Sequence, residues 1–495
     1  MLQSSNPHSR YQKRYRMRKR IQTIFVFFLG IIIVFPAYFL FKKIVTGKAD
    51  AKENTAGYAD GETDNTAGTG EEDGSAVSSQ DSALTGPYRL YCTPTPIGPS
   101  PTPVPENEIF MPDFVDTRTK VNVKGIYVTS DAVTKHFDTL LKMMDDTELN
   151  AIIVDIKDDD GRITYSMSDD IIDGYGTSKN YIADIDGFIK KCKEHNVYII
   201  ARVVAFKDPL LAATVPELAL HHKDGTVYTD GSGIKWVNPF RQEVLDYLVD
   251  IAKQCAETGF NEINFDYFRF PTDGTVDDFD FGDGNEDKTK IDAITAAAKY
   301  LCENIKPLGV YVSVDVFGTV ISSGVDQKSV GQDFAVLGKY LDYICPMIYP
   351  SHYGDGSYNI QYPDTEPYKL IYSALLDAKN VLSVIPDEGV NKAQVRPWLQ
   401  DFTATWVTHH ITYGAQQVRD QINAVYDAGD TGWSLWNAAV NYTSSALMTE
   451  EEADAAYASR PTPTLTPTPT PQAAPTKDPN RGQYIDSPWK SSETQ

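Results

Sequence analysis

Residues 262–271 read Glu-Ile-Asn-Phe-Asp-Tyr-Phe-Arg-Phe-Pro. Ile263, Phe265 and Tyr267 alternate with Asn264, Asp266 and Phe268. Successive side chains of a strand point to opposite faces, so one face is apolar and the other carries an amide and a carboxylate. The same alternation recurs in 151–158 and in 310–318. Several parallel strands that each aim a carboxylate at a shared centre describe the mouth of an enzyme barrel better than a structural core.

Working outward, strand patterns lie at 123–129, 151–157, 197–205, 262–268, 310–317, 343–349, 395–400 and 432–436. Apolar residues at helical spacing fill the gaps, at 132–147, 185–195, 240–258, 288–305, 332–341, 366–378 and 415–428. A last helix is expected at 444–457, with Ser444 or Ser445 as its N-cap. Eight strand–helix units predict an α/β fold, a (β/α)8 TIM barrel over 113–458. An open doubly wound sheet would need a Gly-rich turn after the first strand, and Val128-Thr129-Ser130-Asp131 supplies none. Neither GxxxxGK[ST] nor GxSxG follows a strand, which removes the main support for P-loop and serine-hydrolase readings.

Helices must cover the uniformly aliphatic face of each strand, which fixes the other face as inward. Ile152, Val154 and Ile156 then face out, while Ile153, Asp155 and Lys157 face in. Val310, Val312, Val314 and Val316 face out, while Tyr311, Ser313, Asp315 and Phe317 face in. The sixth strand sends Tyr343, Cys345, Met347 and Tyr349 inward, and in the last strand Ser434 and Trp436 alternate with Trp433 and Leu435. Asp155, Asp266 and Asp315 come late in their strands, at the end where such barrels carry chemistry. Unpaired carboxylates inside a barrel are costly, and Lys157, Arg202 and Arg269 are the candidate partners. A buried salt-bridge network that fixes barrel closure is the purely structural alternative, strongest for Asp155 with Lys157 two residues on.

The ends of the chain differ in composition. Residues 21–41 (IQTIFVFFLGIIIVFPAYFLF) carry no charge, long enough at ~1.5 Å per residue to span a ~30 Å hydrocarbon core. A basic block from Arg10 to Arg20 precedes it and is expected to stay cytoplasmic. The reading is a cytoplasmic tail (1–20), a single-pass transmembrane anchor (21–41) and an extracellular remainder. A cleaved signal peptide, with Ala49-Asp50-Ala51 as its cleavage site, is the rival. Residues 42–112 are acidic and Gly-rich, then Thr/Pro-rich. Residues 459–495 repeat the Thr/Pro chemistry. Such segments bury too little apolar surface to offset ordering entropy and are expected to be disordered spacers, holding the barrel away from a membrane.

The formal net charge is −23, which excludes nucleic acid as a partner class, because phosphate binding needs clustered Lys and Arg. Cys92, Cys192, Cys255, Cys302 and Cys345 are widely spaced, without a CxxC pair, and read as small buried hydrophobes in the folded region. The acidic stretch 277–287 reads as a solvated mouth loop, and His221-His222 and His409-His410 as surface or packing residues. No metal and no cofactor are expected.

VDIKDDDG (154–161), ARVVAFKDP (201–209), WVNP (236–239), NFDYFRFP (264–271) and DVFG (315–318) together resemble an uncharacterised bacterial family of glycoside-hydrolase-like (β/α)8 barrels. The resemblance covers most of the folded middle and implies a poly- or oligosaccharide substrate. Glycosidases of this architecture place a nucleophilic Asp at the end of the fourth strand and an acid/base at the end of the fifth. The resemblance thus implies Asp266 as nucleophile and Asp315 as general acid/base. α-Amylase-type enzymes carry Glu at that fifth-strand position, so Asp155, Asp208 or a mouth-loop acid stay open as alternatives. Substrate contacts are expected from Asp155, Lys157, Arg202, Arg269, Tyr349 and Trp436, with Tyr353 and Trp398 as further aromatic platforms. The competing function is a non-catalytic barrel that binds wall or capsule glycans.

Overall fold

The computed structural model describes residues 116–273, 278–385 and 391–460. The expected anchor, the N-terminal linker, Cys92 and the tail beyond Arg460 lie outside the described residues. Among the described residues no helix is long and apolar enough to cross a membrane.

Eight parallel staves close into a barrel. They are β1 (Lys124–Val128), β2 (Ala151–Lys157), β3 (Tyr198–Val204), β4 (Glu262–Asp266), β5 (Tyr311–Phe317), β6 (Tyr343–Met347), β7 in two pieces (Gln394–Val395 and Trp398–Gln400) and β8 (Trp433–Trp436). Each pairs with the next in chain order, and β8 returns to β1 through Lys124 opposite Trp433. β7 is broken because Pro397 has no N–H for the ladder. Its first piece pairs with the start of β6, and Trp398 then pairs with Met347 to complete closure. Gly125 makes room inside: a Cβ there would stand 2.7 Å from the Ile153 side chain on the adjacent stave.

The covering helices are α1 (Phe137–Asp145), α2 (Ile185–Glu194), α3 (Gln242–Thr258), α4 (Lys290–Ile305), α5 (Phe334–Leu337), α6 (Pro367–Leu382), α7 (Ala415–Asp427) and α8 (Glu450–Ala458). α4 starts on a capping box between Thr289 and Asp292, and α3 stops at Gly259, whose φ of 109° suits glycine. The last helix begins later than its sequence pattern suggests. Ser444–Ala446 is only a 3-10 turn, and the N-cap of α8 is Thr449, which exchanges hydrogen bonds with Glu452.

Two apolar layers follow the strand parity. Ile152, Val154, Ile156, Val312, Val314, Trp433 and Leu435 join the helices in the outer core. Tyr127, Ile153, Tyr311, Tyr343, Cys345, Tyr349 and Trp398 form the interior cluster, with Met347 and Trp436 packed on it. Phe317 departs from the expected inward set. It lies at the rim with the outer cluster, its ring 4.6 Å from the Arg269 guanidinium. The fourth stave also ends two residues early. Tyr267 takes φ of 48°, which breaks the alternation and sends Phe268 to the outer core beside Phe206.

The interior is charged in tiers. At the strand N-termini Arg118 bonds Asp342 and lies over Tyr311. Above them Glu262 accepts from Arg396, Ser313 and Tyr198. The four described cysteines are buried and free.

Candidate active site

The third tier, at the C-terminal strand ends, is organised by Arg202 of β3. Its side chain is 2% exposed. Nη1 donates to Asp155 Oδ1 at 2.6 Å, Nη2 to Asp266 Oδ2 at 2.5 Å, Nε to the same oxygen at 3.1 Å, and Nη2 to Asp159 Oδ1 at 3.2 Å. A guanidinium is the side chain suited to this work, because its planar fork serves several carboxylates at once. Burial by itself would lower its affinity for the proton, but the charges of Asp266, Asp155 and Asp159 outweigh that and hold it well above its ordinary value.

Asp266 is therefore clamped. Oδ2 takes the two guanidinium bonds, and Oδ1 accepts from the backbone N–H of Tyr267 at 2.6 Å. The left-handed conformation of Tyr267 turns that N–H back onto the carboxylate. A non-glycine residue in this region is uncommon, and such strain concentrates at functional sites. Asp155 also accepts from Tyr127 Oη at 2.6 Å. Burial, partly offset by Arg202 and by the Tyr127 bond, pushes its carboxyl up to about 6. Asp159, on the loop after β2, is the more open of the set, its side chain 41% exposed. Its partial burial is outweighed by Arg202 and Lys207, which hold the carboxyl down to about 2. Lys207 also donates to Tyr267 Oη at 3.2 Å.

Asp315 sits differently. It is 2% exposed, and Oδ1 accepts from two neutral donors, Asn264 Nδ2 at 2.9 Å and Trp398 Nε1 at 2.8 Å. Burial first, and the nearby Asp266 charge second, push its carboxyl up to about 8, against the pull of those two bonds and of Arg202. Two carboxyl groups in one mouth thus have opposite surroundings, one gripped by a cation and one held by neutral donors. This is the arrangement that separates a proton donor from an anionic partner.

The remaining expected residues divide. Arg202, Asp155, Asp266 and Asp315 come together. Lys157 does not join them. The β2–β3 register shifts between Asp155 and Lys157, so the bulge turns Lys157 to the other side. There it is fully buried, 2.8 Å from Asp208 and bonded to Val204 O at 2.6 Å. Asp208 caps the following helix through Leu211 N and is occupied with Lys157. The cation that meets Asp266 is Arg202; Arg269 lies against Trp236, Tyr267 and Phe317 and donates to Phe270 O. Tyr349 is at the site, its phenol raised by burial and by the charges of Asp315 and Asp266. Trp436 is half-buried and stacks on Tyr127 with ring centroids 4.2 Å apart. Trp398 is buried and serves Asp315 as a donor, and Tyr353 is buried beside Tyr358. Asp159 and Lys207 were missed. They lie on loops where strand parity is silent, although the acidic run Asp158-Asp159-Asp160 directly after a carboxylate-bearing strand was a usable signal.

Among the described residues no cluster of His, Cys, Asp and Glu is arranged to hold a metal ion. The acidic stretch after β4 instead contributes Phe279–Asp280 to a two-stranded ribbon with His221–His222.

A family model described as "Putative glycosyl hydrolase domain" matches residues 125–442, more than half of the chain. No curated protein matches the chain. Among solved structures, a hypothetical protein from Ruminiclostridium thermocellum is 34% identical over 39% of this chain and 97% of its own, with a TM-score of 0.36. The glycoside hydrolase domain of PgaB (BpsB) from Bordetella bronchiseptica is 12% identical over 64% of this chain and 94% of its own, with a TM-score of 0.46. The spore cortex-lytic enzyme SleL from Bacillus megaterium is 12% identical over 69% of this chain and 75% of its own, with a TM-score of 0.39.

Proposed function

The chain belongs to the family described as "Putative glycosyl hydrolase domain", whose model spans its barrel, and we propose that it hydrolyses a glycosidic bond of a poly- or oligosaccharide with Asp315 as proton donor and Asp266 as partner carboxylate. The observation that carries the reading is the contrast between the two groups. Asp266 accepts only, from Arg202 and a backbone N–H, while Asp315 has no cation among its hydrogen-bond donors. Hydrolysis needs one carboxyl to protonate the leaving oxygen and another to attack the anomeric carbon, directly or through a water. Asp315 gives its proton to the leaving oxygen. Asp266 acts on the anomeric carbon from a position fixed by Arg202. Asp155 and Arg202 set the charge of the site, and the half-buried ring of Trp436 offers an apolar face to the sugar.

The placement is part of the same proposal. The charge-free run 21–41 behind its basic block anchors the chain in a membrane with the barrel outside, and the Thr/Pro-rich segments space it from that surface. Accessibility of the barrel to protease added to intact cells tests the topology. For the activity, the full chain is screened for release of reducing ends from a glycan panel, with Asp266→Asn and Asp315→Asn alongside. Turnover by the native protein and its loss in both folded variants is the expected result. Saturable glycan binding with no turnover in any of the three would favour the binding-module alternative.

A further inference from the structure

A line of rings runs from the reacting carboxyls to the outside of the barrel. Tyr349, which feels the charges of both Asp315 and Asp266, meets Phe402 edge-on at 5.9 Å between centroids. His352 closes the corner at 5.2 Å from Tyr349 and 6.5 Å from Phe402. Phe402 is half-buried on the interior cluster and stacks with Trp406 at 6.0 Å and 19°. Trp406 is 37% exposed, on the mouth loop that follows β7.

This shelf is built rather than loose. Its loop and the last residue of β7 are tied to the loop after β6 at three places. Gln400 accepts from Ser351 N and Oγ at 3.1 and 2.7 Å, Asp364 accepts from Ile411 N at 3.2 Å, and Tyr413 Oη donates to Asp364 O at 3.1 Å. The Tyr362 ring stacks on His409 at 3.8 Å, and Asp355 stands 3.4 Å from the same histidine. A large ring held half in water loses little freedom when a ligand covers it. Pyranose rings present C–H faces that pack on aromatic planes and leave their hydroxyls in solvent.

Resting on the hydrolase reading of the Asp266/Asp315 site, we propose that Phe402 and Trp406 form a second sugar subsite outward of it. The substrate is then a chain that fills at least one sugar position beyond the bond being cut, and Trp406 sets the preference for longer chains.

The test uses the full-length Asp315→Asn protein, whose turnover is expected to be strongly reduced, titrated with chito-, cello- and malto-oligosaccharides of two to six sugars. Calorimetry and tryptophan fluorescence follow binding. The expected result is affinity that climbs with chain length for at least one series, and a roughly tenfold loss for the hexasaccharide on Trp406→Ala with the disaccharide unaffected. Trp406→Phe should restore most of the loss. Affinity independent of chain length, an unchanged hexasaccharide in Trp406→Ala, or no binding of any length would overturn the subsite. Length-dependent, Trp406-dependent binding by a native protein that never releases reducing ends would keep the subsite and contradict the hydrolase reading.

Discussion

Trp398 donates its indole N–H to the Asp315 carboxyl at 2.8 Å from a stave two positions round the barrel. That bond stabilises the anionic form of Asp315 and opposes the burial and the Asp266 charge that raise it. The acid is therefore tuned by a group that need not touch the substrate. Replacing Trp398 by Phe should move the alkaline limb of kcat/KM to higher pH, since Asp315 then holds its proton more tightly. A profile that stays in place, measured from pH 5 to 10, would remove Trp398 from the tuning of the acid.

Arg202→Met leaves Asp155, Asp159 and Asp266 without their shared cation in a buried site. Stripping one partner from a buried ion pair typically costs ~3–5 kcal/mol. Denaturant unfolding should show a loss of that order together with loss of turnover. A variant as stable as the native chain would mean that the clamp is not a buried charge centre.

The Glu262–Arg396 tier lies below the site and bonds none of its carboxylates directly; Ser313, which donates to Glu262, also accepts from Asn264, a donor to Asp315. Glu262→Gln should lower the midpoint of denaturant unfolding, because Arg396 loses its countercharge while fully buried. The alkaline limb of kcat/KM should not move. A shifted limb would show that this tier takes part in tuning Asp315.

Much of this was legible in the sequence because barrel strands repeat a two-residue period. The parity of Val312, Val314 and Asp315 alone puts two valines against helices and the carboxylate inside. The period fails wherever the backbone departs from a regular strand. The bulge after Asp155 carries Lys157 out of the interior, so the partner of Asp155 is Arg202, a residue more than forty positions away in sequence. The left-handed Tyr267 ends the fourth stave early and displaces Phe268. At Pro397 the seventh stave breaks, and Trp398, expected as a sugar platform, becomes a hydrogen-bond donor. Helix caps follow the same logic. Ser444 and Thr449 both suit the role, and only Thr449 has Glu452 three residues on.

Asp315 also leaves a signature in stability. Its carboxyl is raised to about 8 in the folded chain, from an ordinary value of 3.8. The native state keeps a proton that the unfolded chain gives up. This contribution is therefore fully present below the ordinary carboxylate range, declines as pH rises, and is lost once pH passes about 8. Asp315→Asn, which still offers an oxygen to Asn264 and Trp398, removes the penalty. The variant should gain stability relative to the native chain between pH 4 and 8, by denaturant unfolding at fixed salt. A difference that does not change with pH would place Asp315 in the ordinary range.

The most direct measurement is release of reducing ends from the glycan panel by the native chain and by Asp315→Asn, followed from pH 5 to 10. The account predicts turnover by the native protein that falls as pH rises through about 8, and a folded variant reduced by roughly 10²–10⁴-fold. Full turnover in Asp315→Asn, with the native pH profile, would contradict it.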